Sequence, residues 1–532
     1  MRTLRLFVVL SSPVFAGTQE AGSTDPAQFH TRVRQLQQRV AELAGTDDLL
    51  DTLHFGWFDR PYTRATLATL VKTTTVLQRE VRLRERGNGA IPESRVGAML
   101  LWTGEALERA ITAEPFAGFR PHRLRTISDE LAVNTATAPL YGLVDRTTAT
   151  RYDERLGDLD LMAAMGFRVY PVLLSDTALV RADSVVIERA EALGMAVVGL
   201  TTPTTGGERD SIAPPPSASG PIVTVEPVTL MEMLQFDPAA ARPSGPTLAL
   251  TDPVRGESLA ASLARRAFAR GLWRHGRYIV DGWQVPRIRV LPYERSALTA
   301  AAMWVHAIEG QSLGLIRGWR DLRDGSGSPY RSILPDPAHV ETIVRNALDL
   351  VRLRTYVLPF NVSPPVAVGV GPDAVDGDDA NAWADWVEPV WAALLERQIR
   401  FDVVRLAGND GQLGERYRVV FPLHRSESDN VISVITRLER LLTTVDEHLR
   451  RVTARELDGA LAGDLFVRDV RTPNGRPCVA VVNLSARPRR IKLRGGPMLG
   501  PLRDVISNTT VERPDGIVHL EPWQVRLLWP AE

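Results

Sequence analysis

Cysteine is nearly absent from this chain of 532 residues, in which Cys478 is the only one. A single thiol excludes a disulfide framework within one molecule and any metal site built from several cysteines. Charge of one sign is not in excess either, because 63 basic residues face 63 acidic ones. That balance offers no basic surface, so nucleic acid is not an expected partner. No run beyond the N-terminus is long and apolar enough to span a bilayer.

Two motifs of cofactor-binding proteins are also missing. The apolar run PPVAVGVGP at 364–372 lacks the Gly-x-Gly-x-x-Gly spacing, so it predicts no nucleotide. His275, His306 and His339 share no ligand spacing, so no catalytic metal is predicted. We therefore expect neither a cofactor nor a metal.

The first residues have the pattern of an export signal. Arg2 and Arg5 are positive, Leu6–Leu10 is apolar, and the tripeptide Val14–Ala16 fits a small-residue cleavage site. We interpret residues 1–27 as a signal peptide and linker, which predicts a periplasmic or extracellular protein. A frayed first helix or a wrongly assigned start codon is the alternative.

Residues 28–136 are predicted to be helical. His30–Ala44, Arg64–Arg86 and Ser94–Thr112 carry apolar residues at helix spacing. We expect a bundle that buttresses the domain after it.

Residues 137–322 alternate short apolar runs with helical stretches. That alternation predicts a (β/α)₈-like barrel. The eight predicted strands are Leu140–Val144, Phe167–Leu174, Met195–Leu200, Pro221–Val225, Thr247–Leu250, Arg277–Val280, Arg287–Leu291 and Ser312–Ile316.

Two smaller regions complete the predicted α/β multidomain fold. Residues 323–455 alternate helices and strands and predict a Rossmann-like open parallel sheet. Residues 456–532 switch to short alternating strands separated by turn residues, which predicts an antiparallel β-sandwich.

The segment 287–321 carries the strongest signal for a site. A β-branched run ends in Glu294, a helix is predicted from Ser296, and a second apolar run leads to Trp319. Parallel barrels hold their chemistry at the C-terminal ends of the strands, and a carboxylate beside an aromatic ring suits a sugar-cleaving site. The alternative is that the acid caps a helix or lies on a solvated rim.

The order of these parts resembles the family 42 glycoside hydrolases of the β-galactosidase type. The resemblance rests on DLDLMAAMGF at 158–167, on Ala302–Trp319, on WADWVEPVWAALLERQIRFDVV at 383–404 followed by YRVVFPL, and on VVNLS, RDVIS and HLEPWQVRLL in 479–530. It covers roughly residues 137–530, whereas the helical N-terminal region departs from the family.

That resemblance implies a retaining mechanism with two glutamates, at the ends of the fourth and seventh barrel strands. Glu294 matches the nucleophile by strand count, and Glu226 in IVTVEP matches the acid, although Val225 stands where the family has Asn. Asp252 in ALTDP is the alternative acid, or else the N-cap of a helix. Because the Asn-Glu pair is missing, a non-catalytic carbohydrate-binding or scaffold protein on the same fold is the rival interpretation.

Aromatic residues near these strand ends complete the predicted site. Trp283, Tyr293 and Trp319 are expected to stack on sugar rings or, alternatively, to lie in the core. The resemblance also implies a homo-oligomer, a trimer in that family, with the helix bearing Trp383, Trp386 and Trp391 at its interface. The alternative places those tryptophans inside the α/β domain.

Overall fold

The computed structural model describes twenty-three segments of the chain, which contain the helices and strands discussed below. They are residues 26–44, 61–112, 140–144, 152–167, 169–173, 184–200, 223–227, 247–251, 278–283, 292–309, 313–317, 333–361, 364–370, 394, 397–406, 413–415, 417–423, 436–437, 440–441, 452–471, 477–495, 501–511 and 517–530, in which the pairs at 436 and 440 are short helical pieces.

Three helices open the described chain: α1 (Pro26–Ala44), α2 (Pro61–Glu85) and α3 (Glu93–Thr112). In α1 the buried residues Phe29, Val33, Leu36 and Val40 recur every three or four positions, which gives the helix one apolar face. That face packs on α2, and α2 packs in turn on α3. The bundle expected from the apolar spacing is present in these residues.

Seven parallel strands follow, and each pairs with the next in chain order, while the last pairs with the first. They are β1 (Leu140–Val144), β2 (Val169–Leu173), β3 (Ala196–Leu200), β4 (Val223–Pro227), β5 (Thr247–Thr251), β6 (Tyr278–Trp283) and β7 (Leu313–Arg317). The described helices between them are α4 (Tyr152–Ala164), α5 (Ser184–Ala192) and α6 (Pro292–Ile308).

The pairing of β6 with β7 corrects the predicted strand order. Val280 is in register with Leu313 and Trp283 with Ile316, so these strands are direct neighbours. A strand has only two hydrogen-bonding edges, and the second edge of each is taken by β5 or β1. No strand lies between β6 and β7 in the described ring, and the predicted strand at 287–291 lies outside the described residues.

The turn from α4 into β2 depends on a glycine. Gly166 has a φ of +86°, a left-handed conformation that residues with a Cβ rarely adopt. A Cβ there would lie 2.9 Å from Cδ2 of Leu348, a residue far away in the chain. Its neighbours Met165 and Phe167 are fully buried. The motif MGF thus reverses the chain at a point of close packing.

Helix α7 (Pro337–Arg352) joins the ring to the N-terminal bundle. Asp336 caps it by accepting a hydrogen bond from the His339 amide at 3.2 Å. On one side it packs on α6, where Trp304 Nε1 donates to Asn346 Oδ1 at 2.7 Å. On the other it packs on α2. The short α8 (Arg354–Val357) and a 3₁₀ turn follow it.

Buried polar contacts fix the N-terminal helices in place. Thr66 Oγ1 donates to Glu341 Oε1 at 2.5 Å, and Arg109 pairs with the other oxygen of that carboxylate at 2.9 Å. Lys72 on α2 and Asp158 on α4 form an ion pair at 2.6 Å with both side chains largely buried. These contacts join the bundle both to α7 and to a helix of the ring.

A three-stranded parallel sheet comes next, with β8 (Val366–Val370) between β10 (Val419–Leu423) and β9 (Phe401–Arg405). All three strands match apolar runs in the sequence. Asp402 is fully buried in this sheet and accepts a hydrogen bond from the Tyr417 hydroxyl at 3.0 Å. That bond satisfies one of its carboxylate oxygens.

Two antiparallel sheets end the described chain. Their strands are β11 (Thr453–Arg455), β12 (Leu465–Arg471), β13 (Pro477–Asn483), β14 (Arg489–Arg494), β15 (Leu502–Asp504), β16 (Thr509–Val511), β17 (Ile517–Leu520) and β18 (Val525–Pro530). The order is β11-β14-β17 in one sheet and β12-β13-β18-β15-β16 in the other. Buried residues of both sheets share one apolar cluster, as expected for a sandwich.

The sandwich is attached to the helices around the ring by buried polar contacts. Glu309, just after α6, pairs with Arg468 of β12 at 2.6 Å. Arg352 of α7 pairs with Asp349 and donates to the carbonyl of Ile506 at 3.1 Å. Within the described residues no helix has the length and apolar character needed to cross a membrane.

Candidate functional site

The register of the ring divides its residues into two faces. Residues in register lie on the same face of a sheet, and successive residues of a strand alternate between faces. One face is mostly aliphatic. Its exceptions are two glycines, two prolines, one tyrosine and one arginine: Gly142, Gly282, Pro171, Pro227, Tyr278 and Arg317. Parallel strands covered by helices have such a face.

The opposite face carries Tyr141 and Tyr170 and all the threonine and carboxylate residues of the described ring strands. It bears Thr224 and Glu226 of β4, Thr247 and Thr251 of β5, and Asp281 of β6. These residues come from three adjacent strands. In parallel barrels the strands' C-terminal edge is where sites form, so the candidate site lies at the C-terminal ends of β4, β5 and β6.

Glu226 lies where the sequence predicts it. It is the next-to-last residue of β4 and is in register with Ala249 of β5. Trp283 is the last residue of β6 and lies on the same face as Glu226. The ring therefore brings these two predicted site residues to one edge and one face.

Glu294 does not end a strand, contrary to the sequence-based prediction. Helix α6 begins at Pro292, so Glu294 and Tyr293 belong to its first turn. Proline is favoured at the first helical position, and an acid in the first turn complements the helix dipole, which explains the earlier start. By pairing, the seventh strand of the ring is Leu313–Arg317. Asp252 and Trp319 lie outside the described residues.

One carboxylate of this edge was missed from the sequence. Asp281 is in register with Thr251 on one side and with Gly314 on the other. The sixth strand was predicted to end at Val280, whereas β6 continues to Trp283. The alternation of Ile279, Asp281 and Trp283 is a signal that could have extended it.

Burial raises the pKa of two titratable groups in the C-terminal sheets, Cys478 and Asp504. Desolvation raises the pKa of Cys478 to about 12, so this buried thiol stays protonated near neutral pH. Burial also raises the pKa of Asp504, against the opposing effects of Arg526 and of hydrogen bonds from Ser507, Ile506 and Leu527. Those bonds tie a turn to β18, which is a structural role. No group of three or more His, Cys, Asp or Glu residues able to hold a metal occurs in the described part of the chain.

Comparison with known proteins gives structural neighbours of low similarity. No family model matches the chain, and no curated protein matches it. The fold is similar to an apo family 42 exo-carrageenase of Bacteroides ovatus, with 9% identity, a TM-score of 0.42, and coverage of 95% of this chain and 99% of that one. It is similar to a family 27 β-L-arabinopyranosidase of Geobacillus stearothermophilus, with 11% identity, a TM-score of 0.29, and coverage of 76% and 98%.

These solved neighbours are glycoside hydrolases. At such identities and TM-scores, none of them establishes a family or an activity for this chain.

Proposed function

We propose that this protein is an exported glycoside hydrolase that cleaves β-galactoside-like or related oligosaccharides on a (β/α)₈-like barrel. The observation that supports the proposal most is the ring of parallel strands with Glu226 at its C-terminal edge, on the face that also carries Asp281 and the threonines of β4 and β5. The resemblance of residues 137–530 to family 42 supplies the reaction class.

The proposed chemistry is a retaining hydrolysis by two carboxyl groups. In the first step an ionised carboxylate attacks the anomeric carbon while a carboxylic acid protonates the departing glycosidic oxygen. In the second step the deprotonated acid takes a proton from water, and that water attacks the anomeric carbon and releases the carboxylate. The overall change is glycoside plus water to sugar plus alcohol, with no cofactor consumed.

The sequence supplies the first assignment of these roles. Glu226 is the proposed acid, with Asp252 as its substitute, and Glu294 is the nucleophile implied by the family pattern. Trp283, Tyr293 and Trp319 are proposed to stack on the sugar rings.

The test is a panel of nitrophenyl glycosides and oligosaccharides assayed with the purified full-length chain. Turnover of a β-galactoside or a related glycoside, with the same anomer in the first product seen by NMR, supports the retaining hydrolase. Glu226→Gln should then lower kcat/KM by roughly 10²–10⁴-fold, because proton donation to the leaving group is lost. An inverted first product contradicts the retaining mechanism.

A carbohydrate-binding or scaffold protein is the second proposal, and one observation favours it. Val225 precedes Glu226, where the family has Asn. Binding of an oligosaccharide in calorimetry, with no turnover of any substrate in the panel, supports this alternative. Turnover that Glu226→Gln abolishes excludes it.

Assembly is a separate proposal. By resemblance, the helix with Trp383, Trp386 and Trp391 contributes to a trimer interface. Light scattering should then give three times the mass of one chain. A monomer at micromolar concentration contradicts the trimer.

A further inference from the structure

The ring is staggered, and the stagger decides which residues share a layer. The paired residues that follow from Trp283 of β6 are Ile316 of β7, Leu143 of β1, Tyr170 of β2 and Val197 of β3. Continuing through β4 and β5 leads back to β6 about eight residues before Trp283. Such a stagger tilts the strands against the axis of the ring. From each strand to the next, the residue at the same height along the axis of the ring is therefore about one position later than the residue in register.

That rule places two carboxylate residues in the same layer. Glu226 of β4 is in register with Ala249, and Ala249 is in register with Ile279 of β6. Two strands further round the ring, the same height is reached about two residues later, at Asp281. Since two residues preserve the face, Glu226 and Asp281 share both layer and face.

Resting on the proposed function, we propose that Asp281 is the nucleophile that pairs with Glu226, in place of Glu294. Alternate strands of a parallel barrel supply the residues of one layer, which is the relation of β4 to β6. Glu294 lacks this placement because it belongs to the first turn of α6. The substrate class is unchanged: a glycoside whose anomeric carbon lies between the two carboxyl groups.

The spacing between these positions suits the chemistry. Two strand intervals of about 4.8 Å and two residues of about 3.3 Å separate the Cα atoms by about 11–12 Å along the sheet. Curvature of the ring shortens the direct distance. A Cα separation of that size leaves room between the two strands for two carboxyl groups at the separation of about 5–5.5 Å that retaining enzymes use.

Cross-linking tests the placement without any substrate. The chain is suited to it, because its one native thiol, Cys478, is buried with a pKa raised to about 12 and does not compete for reagent. A methanethiosulfonate reagent with a two-carbon spacer should link the two thiols in the Glu226→Cys/Asp281→Cys double variant. The matched control is the double variant Glu226→Cys/Glu188→Cys, in which the second thiol lies at the exposed Glu188 position of α5 and should not be linked to the first. A link in Glu226→Cys/Glu294→Cys but not with Asp281 overturns the proposal.

Kinetics with the full-length chain then tests the chemical role. Asp281→Asn should lower kcat/KM on the best substrate of the panel by at least about 10²-fold, whereas Glu188→Gln should leave it unchanged. Azide should restore turnover of Asp281→Ala with a product of inverted anomeric configuration, since azide takes the place of the missing carboxylate. An active Asp281→Asn variant excludes the role.

The outcomes separate the two proposals. Cross-linking together with loss of turnover in Asp281→Asn supports both. Turnover that survives Asp281→Asn but is lost in Glu294→Gln overturns the role of Asp281 and leaves the hydrolase standing. Cross-linking in a protein that turns over no glycoside supports the shared layer but overturns both the hydrolase and the catalytic role of Asp281.

Discussion

Arg468→Met is expected to destabilise the protein strongly, because it removes the arginine that pairs with the buried carboxylate of Glu309. Arg468 and Glu309 pair at 2.6 Å, with side chains only 5% and 7% exposed. The guanidinium also donates to the carbonyl of Val467 at 2.8 Å and lies 4.3 Å from the centre of the Phe466 ring. Methionine keeps the apolar packing of the stem, so the change removes the guanidinium with its charge and these two contacts.

The expected magnitude follows from burial. Removing one partner of a buried ion pair costs about 3–5 kcal/mol, because the remaining charge is desolvated and uncompensated. Replacing both partners by apolar residues is close to neutral in comparable cases. The double variant Glu309→Leu/Arg468→Met should therefore recover most of the stability that either single variant loses.

The control is an ion pair with the same nitrogen–oxygen distance but with more exposed side chains. Arg189 and Asp160 also lie 2.6 Å apart, with side chains 48% and 20% exposed. Water screens that pair, so Arg189→Met should cost only about 0.2–1 kcal/mol. The two arginine variants then differ mainly in the burial of the carboxylate they leave behind.

Urea denaturation followed by tryptophan fluorescence measures the free energy of unfolding of each variant. A double-mutant cycle on Glu309 and Arg468 gives their coupling energy. If Arg468→Met costs no more than Arg189→Met, or if the double variant is as unstable as the sum of the singles, the reasoning from burial is refuted. The same cycle also tests whether the sandwich is docked on α6, because this pair joins the two.

Three further outcomes are expected from the described residues. Gly166→Ala should lower the free energy of unfolding by about 1–3 kcal/mol in urea denaturation, because the new Cβ would meet Leu348 at a residue with a positive φ. Gly97→Ala, on an open helix face, should raise that free energy by up to about 1 kcal/mol. Equal effects of the two changes would contradict the packing argument. Cys478 should resist Ellman's reagent in the native protein and react once urea unfolds it, and rapid native labelling would show that the thiol is accessible. Burial raises the pKa of Asp504 above its ordinary 3.8, so the folded state holds the proton more tightly and this group's contribution to stability falls as pH rises from that value. The urea midpoint of the wild type relative to Asp504→Asn should therefore fall as pH rises above about 4, and a constant difference would contradict the shift.

Local pattern predicted most of the secondary structure. The strand at Leu140–Val144 was expected with the bounds that the structure has, and α2 begins and ends within three residues of its predicted limits, Arg64–Arg86. Apolar periodicity determines these elements because it depends on neighbours within a few residues. Glu226 near the end of β4 was predictable for the same reason, since β-branched residues precede it and Pro227 ends the run.

Composition also determined what is not expected. One cysteine excludes a disulfide framework, and balanced charges argue against a nucleic-acid surface. Export, the trimer and the domain limits stay predictions, since residues 1–25 and the tryptophans near 383–391 lie outside the described residues.

Tertiary structure decided which strands are neighbours and therefore which strand residues lie on the same edge of the ring. The sequence around 287–294 has the composition of a strand ending in an acid, yet β6 pairs directly with β7 and Pro292 begins a helix. Strand order depends on contacts between residues far apart in the chain, which no local window contains. Only the closed register puts Asp281 in the layer of Glu226, because that layer is set by the stagger summed round the whole ring.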